Sequence, residues 1–84
     1  MFGLEPSRGT LNIAEGRERL DLTAHDVWVG YFAIGGNGSF DDVERWISSG
    51  RDVPRREHNL LAQALNDRFC VRGLDHPVGY RESP

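Results

Sequence analysis

The histidine and cysteine side chains offer the widest range of chemistry in this sequence. His25, His58 and His76 are far apart, and no two have the i, i+4 spacing that places two metal ligands on one helix face. Cys70 is the only cysteine, which excludes an internal disulfide and a cysteine zinc cage. A nucleophilic Cys70 with His58 or His76 as its base is disfavoured, because a helix C-terminus destabilises a thiolate. We therefore predict no metal, no cofactor and no catalytic residue.

The glycine-rich segment 35–39 has a superficial likeness to a phosphate-binding loop, because it leads into a predicted helix. It lacks the lysine of a P-loop, and no strand precedes it. Asp41 and Asp42 follow at once and would repel a phosphate. We interpret the segment as a flexible link between two packed helices.

Arg51, Arg55 and Arg56 form a basic cluster at the start of the third predicted helix. The predicted order of a helix, a glycine-containing turn and a second helix is also that of the helix-turn-helix DNA-binding motif. In that comparison, however, the second helix would begin with the acidic residues Asp41 and Asp42. The net charge of −3 and the pI near 5.5 disfavour a general attraction to nucleic acid. A DNA-binding transcriptional regulator that uses these arginines is therefore the alternative hypothesis.

Three stretches carry the start and stop signals of helices. Thr23 and Ser39 are N-cap residues, each followed three positions later by an aspartate that can complete a capping box. Pro54 is tolerated in the first turn of a helix and marks a third start. Each stretch ends at a glycine that can adopt the left-handed closing conformation, namely Gly35, Gly50 or Gly73. The predicted helices span about 24–34, 40–49 and 54–72.

Apolar residues recur at helical spacing in these three stretches and predict an all-α fold, a small three-helix bundle within residues 22–80. Leu61, Leu65 and Phe69 form the apolar seam of the third helix. Gly30, inside the first helix, indicates that another element packs closely against the backbone there.

The two ends of the chain are predicted to be irregular. Glycine and proline interrupt residues 1–21, which we interpret as a flexible arm or as an arm that orders on a partner. Pro77 prevents the helix from continuing, so an extended tail follows. Val78 and Tyr80 can pack that tail across the bundle, and residues 81–84 remain as its end.

Large aromatic side chains are numerous for so small a chain. Two interpretations are open: all of them are buried in the core, or some remain at the surface. They are Trp28, Tyr31, Phe32, Phe40, Trp46 and Phe69. Exposed aromatic residues mark interfaces. We therefore predict a non-enzymatic regulatory module that binds a protein partner or a second copy of itself. The candidate interface residues are Trp28, Tyr31, Trp46 and Tyr80.

The sequence also bears on location. It contains no apolar run of the roughly 18–20 residues that span a membrane, and residues 1–6 lack the features of a signal peptide. We expect a cytoplasmic protein without a membrane partner. All ten basic residues are arginine, which we interpret as the codon usage of a GC-rich, bacterial genome.

Overall fold

Four α-helices make up the computed structural model, which describes residues 11–81. The helices are α1 Ile13–Arg19, α2 Ala24–Ala33, α3 Phe40–Ser49 and α4 Arg55–Val71. The predicted all-α class is confirmed, and α2, α3 and α4 match the three predicted helices to within one residue at each end. The number of helices is four rather than three, because α1 precedes them.

Local capping sets the starts of α2 and α3, as predicted. The Asp26 amide donates to the Thr23 hydroxyl, and the Asp42 amide donates to the Ser39 hydroxyl. Each aspartate in turn accepts the backbone N–H of its cap residue, and this hydrogen bond is the main cause that lowers the pKa of both carboxyls. The glycines predicted to end the helices all have positive φ: Gly35, Gly50 and Gly73.

α1 lies in the predicted irregular arm, so that prediction is wrong for residues 11–21. Residues 1–10 of the predicted arm and 82–84 of the predicted tail lie outside the described residues. Gly16 sits inside α1 because its backbone packs on the core. A Cβ at Gly16 would lie 2.7 Å from Val78 Cγ2 and 3.3 Å from Leu65 Cδ1. A helix this short is stabilised by such tertiary packing more than by its own propensity.

The core lies between α1 and α2 on one side and α3 and α4 on the other, since α1 and α2 each pack on both α3 and α4. Its buried apolar members are Leu11, Ile13, Leu20, Val27, Tyr31, Val43, Trp46, Ile47, Val53, Leu61, Ala62, Ala64, Leu65, Phe69 and Val78. The predicted seam of α4 is among them. Gly30 is not tightly packed, because a Cβ there would make an ordinary contact of 3.6 Å with Ala64 Cβ. None of these described helices is long and apolar enough to cross a membrane.

Residues 77–81 run in an extended conformation along α4, and we call them the tail segment. The Leu11 amide donates to the Pro77 carbonyl at 2.8 Å, and the Gly79 amide donates to the Leu11 carbonyl at 3.0 Å, as in two parallel strands. Val78 is fully buried. The prediction that it packs the tail across the bundle is confirmed.

Candidate functional site

A buried hydrogen-bond network joins α2, the glycine-rich loop and the first turn of α4. The Tyr31 hydroxyl donates to Glu57 Oε1 and accepts the Gly38 amide at 2.6 Å. The Asn37 amide donates to the same carboxylate oxygen at 3.3 Å. Arg56 completes the network, with Nη1 2.6 Å from Glu57 Oε2.

Burial and hydrogen bonds within this network shift the pKa values of Tyr31 and Glu57 in opposite directions. Burial, followed by the hydrogen bond to Glu57, raises the pKa of Tyr31 to about 12. Burial also raises the pKa of Glu57, but hydrogen bonds from Tyr31, Arg56 and Asn37 outweigh it, so the pKa lies below the ordinary value. At neutral pH a protonated phenol therefore donates to a carboxylate, and neither group is poised to exchange a proton with a substrate.

The loop 35–38 is held on several sides, which corrects its interpretation as a flexible link. A Cβ at Gly36 would overlap the Tyr31 ring, and one at Gly38 would lie 2.8 Å from the Trp46 ring. Trp28 Nε1 donates to the Gly38 carbonyl at 3.2 Å. These glycines allow the loop backbone to lie directly on aromatic rings.

The predicted interface residues are not brought together. Tyr31 is fully buried and Trp46 is only 8% exposed, so their assignment to an interface is wrong. Both rings fill the core between α2 and α3, where they meet edge-on. Trp28 is partly exposed on α2, whereas Tyr80 is 43% exposed on the tail segment.

The exposed aromatic surface shares only Trp28 with the predicted interface, and we call it the aromatic face: His25, Trp28, Val29, Phe32 and Phe40. Phe32 is 61% exposed. Its ring stacks on Trp28 with centroids 5.6 Å apart, and Phe40 meets Trp28 edge-on at 6.2 Å. The spacing 25, 28, 32 follows a second helical stripe beside the core stripe 24, 27, 31, and this signal was present in the sequence.

Carboxylates border the aromatic face. Asp26 follows His25 in the first turn of α2, and α2 contains no arginine or lysine. On α3, Asp41 follows Phe40 directly, and Glu44 lies one turn further along the same side of the helix. Asp41 and Glu44 are exposed. Carboxylates thus follow residues of the aromatic face on both helices, and Arg68 of α4 lies near enough to Asp26 to contribute to the lowering of its pKa.

Comparison with protein families, curated proteins and solved structures finds no match.

All three arginines of the cluster are exposed, and Arg56 differs from the other two in its contacts. Arg56 donates to Glu57 and, through Nη2, to the Gly35 carbonyl at 3.0 Å. Arg51 and Arg55 are exposed. Two arginines of the cluster thus remain at the surface without such an anchor to the loop.

The structure brings Cys70 to His76 rather than to His58. Cys70 Sγ lies 3.9 and 4.0 Å from the two ring nitrogens, and His76 Nδ1 lies 2.7 Å from Asp75 Oδ1. These distances lie at the upper limit of a hydrogen bond to sulfur. Neither the cleft lined by His58 and Arg81 nor the cleft lined by Leu20, Leu22, Arg68, Val71 and Arg72 includes these residues. Within residues 11–81, no group of three or more potential ligands could hold a metal ion.

Two asparagines of α4 hold the tail segment by its backbone, and we call these contacts the asparagine clamps. Asn66 Nδ2 donates to the Val78 carbonyl and Asn66 Oδ1 accepts the Val78 amide, both at 2.9 Å and both buried. Asn59 makes the same pair of bonds with Arg81, at 2.9 and 2.7 Å, in an exposed position. Sequence reasoning gave neither asparagine a role, although Asn66 lies at helical spacing from the apolar residues Ala62 and Phe69 of α4.

His58 contacts the tail segment between the two clamps. Its Nε2–H donates to the Gly79 carbonyl at 3.1 Å, because a carbonyl oxygen can only accept. Burial lowers the pKa of His58, so the ring is neutral at neutral pH. A cleft of about 310 Å³ lies beside it. Arg81 is the one charged residue that lines this cleft. Its guanidinium already donates to the Val53 carbonyl at 2.7 Å, so this cation stabilises the fold.

Proposed function

We propose that this protein is a non-enzymatic module that binds a basic, partly apolar segment of a partner protein through the aromatic face. The observation that carries the proposal is the stacked pair of Trp28 and Phe32, with Phe32 61% exposed. Contiguous exposed aromatic residues on a polar surface mark interaction sites, and tryptophan is a frequent anchor of binding energy.

The acidic border favours a basic partner. Arginine can lie over the exposed ring of Phe32 or Trp28, and its guanidinium can pair with a neighbouring carboxylate. Asp26 keeps its negative charge at neutral pH, since its pKa lies below the ordinary value. Complementary charge of this kind accelerates encounter and rejects acidic partners.

The same border disfavours a homodimer formed through this face. In a two-fold dimer the aromatic faces of both copies would meet, and the carboxylates of Asp26, Asp41 and Glu44 would face those of the other copy. We therefore assign the aromatic face to a partner protein rather than to self-association.

A pair of designed peptides tests the proposal. One peptide alternates leucine and arginine at helical spacing, and the other carries glutamate in place of each arginine. Titration into ¹⁵N-labelled protein is followed through the two indole N–H signals and the amides of α2. We expect the arginine peptide to shift the Trp28 indole signal and the amides around Phe32, with an affinity that falls as salt rises. The glutamate peptide should shift neither.

Two variants locate the site. Phe32→Ala should weaken binding of the arginine peptide at least about tenfold, as expected for a central aromatic anchor. Val71→Ala is the matched control, because Val71 is an apolar side chain, 89% exposed, outside the aromatic face. Equal binding of both peptides, or equal loss in both variants, would refute the proposal.

The DNA-binding alternative has less support. Arg56 is bonded to Glu57 and to the loop, so Arg51 and Arg55 would have to supply the contacts. A salt-sensitive gel shift that disappears in the double variant Arg51→Ala, Arg55→Ala would revive it.

A further inference from the structure

The tail segment is recognised mainly through its main chain. Asn59 and Asn66 lie seven residues apart on the same side of α4, and each bonds both the amide and the carbonyl of one tail residue. His58 bonds the Gly79 carbonyl, and Leu11 pairs with the segment as a strand would. The surface formed by Asn59, Asn66, His58 and Leu11, which the tail segment covers, is called the groove along α4. It has the features of a receptor for an extended peptide.

Side-chain pockets give the groove its selectivity. Pro77 and Val78 are fully buried, and Val78 packs against the backbone of Gly16. The groove thus accepts a small β-branched residue that follows a proline. This pair of residues occurs once in the chain, at 77–78, so any copy of the chain carries the ligand that fits the groove.

The connection into the tail segment contains a strained residue. His76 has φ +49°, in the left-handed region, although it directly precedes Pro77. Proline restricts the residue before it to extended conformations, and a side chain adds to the cost of the left-handed region. Gly73, at the start of the same connection, has φ +85° and no atom within contact distance of its Cβ position. The Gly73 amide donates to the Cys70 carbonyl and the Leu74 amide donates to the Phe69 carbonyl, both at 3.0 Å, so the part of the connection that can straighten begins after Leu74. Straightening at His76 relieves strain.

We propose that the tail segment exchanges between two copies of this chain, so that each groove binds the tail segment of the other copy. Every clamp contact of the closed form is kept in such a dimer, because the groove and its ligand are unchanged. The exchange relieves the left-handed conformation of two His76 residues, and the loss of translational freedom on association opposes it. This interaction is separate from the aromatic face and does not depend on the function proposed for it.

The wild-type protein allows a direct test. Equal amounts of ¹³C-labelled and unlabelled chains are mixed unfolded, refolded at high concentration and separated by size-exclusion chromatography with light scattering. In an exchanged dimer, isotope-filtered spectra contain contacts between labelled Val78 methyl groups and unlabelled Gly16 Hα protons. A dimer without these contacts overturns the proposal, and so does a chain that stays monomeric at every concentration after refolding.

A pair of glycine variants tests the role of the connection. His76→Gly removes the strain from the closed form, so we expect the dimer dissociation constant to rise at least about tenfold. Asp52→Gly is the matched control, because Asp52 also has positive φ, at +56°, but lies between α3 and α4. Its dimer dissociation constant should equal that of the wild type. An unchanged constant for His76→Gly, or equal changes in both variants, contradicts strain at His76 as the cause of exchange.

Discussion

The asparagine clamps offer a comparison in which burial is the main variable. Asn66 and Asn59 are the same residue type on the same helix, and each makes two hydrogen bonds of nearly equal length with the backbone of the tail segment. Asn66 is fully buried, whereas the bonds of Asn59 are exposed. Replacing each by alanine therefore removes equivalent bonds in two different environments.

The expected costs follow from what remains after each replacement. Asn66→Ala leaves the Val78 amide and carbonyl buried without partners, at about 1–3 kcal/mol for each group, so roughly 2–6 kcal/mol in total. Asn59→Ala exposes the Arg81 backbone to water, which replaces the lost bonds, and should cost about 1 kcal/mol or less. A chain of 84 residues is stable by about 4–13 kcal/mol, so the Asn66 variant loses a large part of its stability.

Urea denaturation followed by tryptophan fluorescence measures both free energies of unfolding. If Asn66→Ala is largely unfolded in buffer, trimethylamine N-oxide shifts both variants back into the measurable range. We expect the Asn66 variant to be the less stable by at least about 1.5 kcal/mol. Equal losses in the free energy of unfolding would show that burial does not set the strength of these bonds. They would also contradict the preferential binding of the tail segment by its buried main chain.

Three further predictions concern the free energy of unfolding. Gly36→Ala should lower it by about 1–3 kcal/mol through overlap with the Tyr31 ring, whereas Gly30→Ala should raise it by about 0.5–1 kcal/mol; equal changes would contradict the packing described. Burial lowers the pKa of His58, so the free energy of unfolding should be constant above about pH 6.5 and should fall as the pH drops through that value. His58→Gln should reduce this dependence on pH, whereas His25→Gln should not. The pKa of Tyr31 is raised to about 12, so stability should fall above about pH 10, and an equal fall in Tyr31→Phe would exclude this cause.

The sequence predicted the elements that local chemistry determines. Thr23 and Ser39 set the starts of α2 and α3 through their own side chains, and Gly50 could close α3 because it accepts positive φ. α1 could not be predicted in this way. Gly16 reads locally as a helix breaker, and only the contact with Val78, far along the chain, explains why a glycine is needed there.

The sequence predicted that aromatic residues form the candidate site, but it did not identify which aromatic residues are exposed. Trp28 and Phe32 lie on α2, where apolar residues occupy almost every side of the helix. The spacing of these residues alone therefore does not identify which side is buried. Tyr31 can be buried because Glu57 on α4, a partner 26 positions away, accepts a hydrogen bond from its hydroxyl. A pairing at this distance leaves no periodic signal in either segment.

The pairing of Leu11 with Val78 has a consequence for the time course of folding. The two residues are separated by most of the described chain, and the entropy cost of joining distant segments delays such contacts relative to local ones. The capped helices can form early, and the groove along α4 then stays open until the tail segment arrives. In the exchange proposed above, a higher concentration of chains during that interval raises the fraction of grooves that receive the tail segment of another copy.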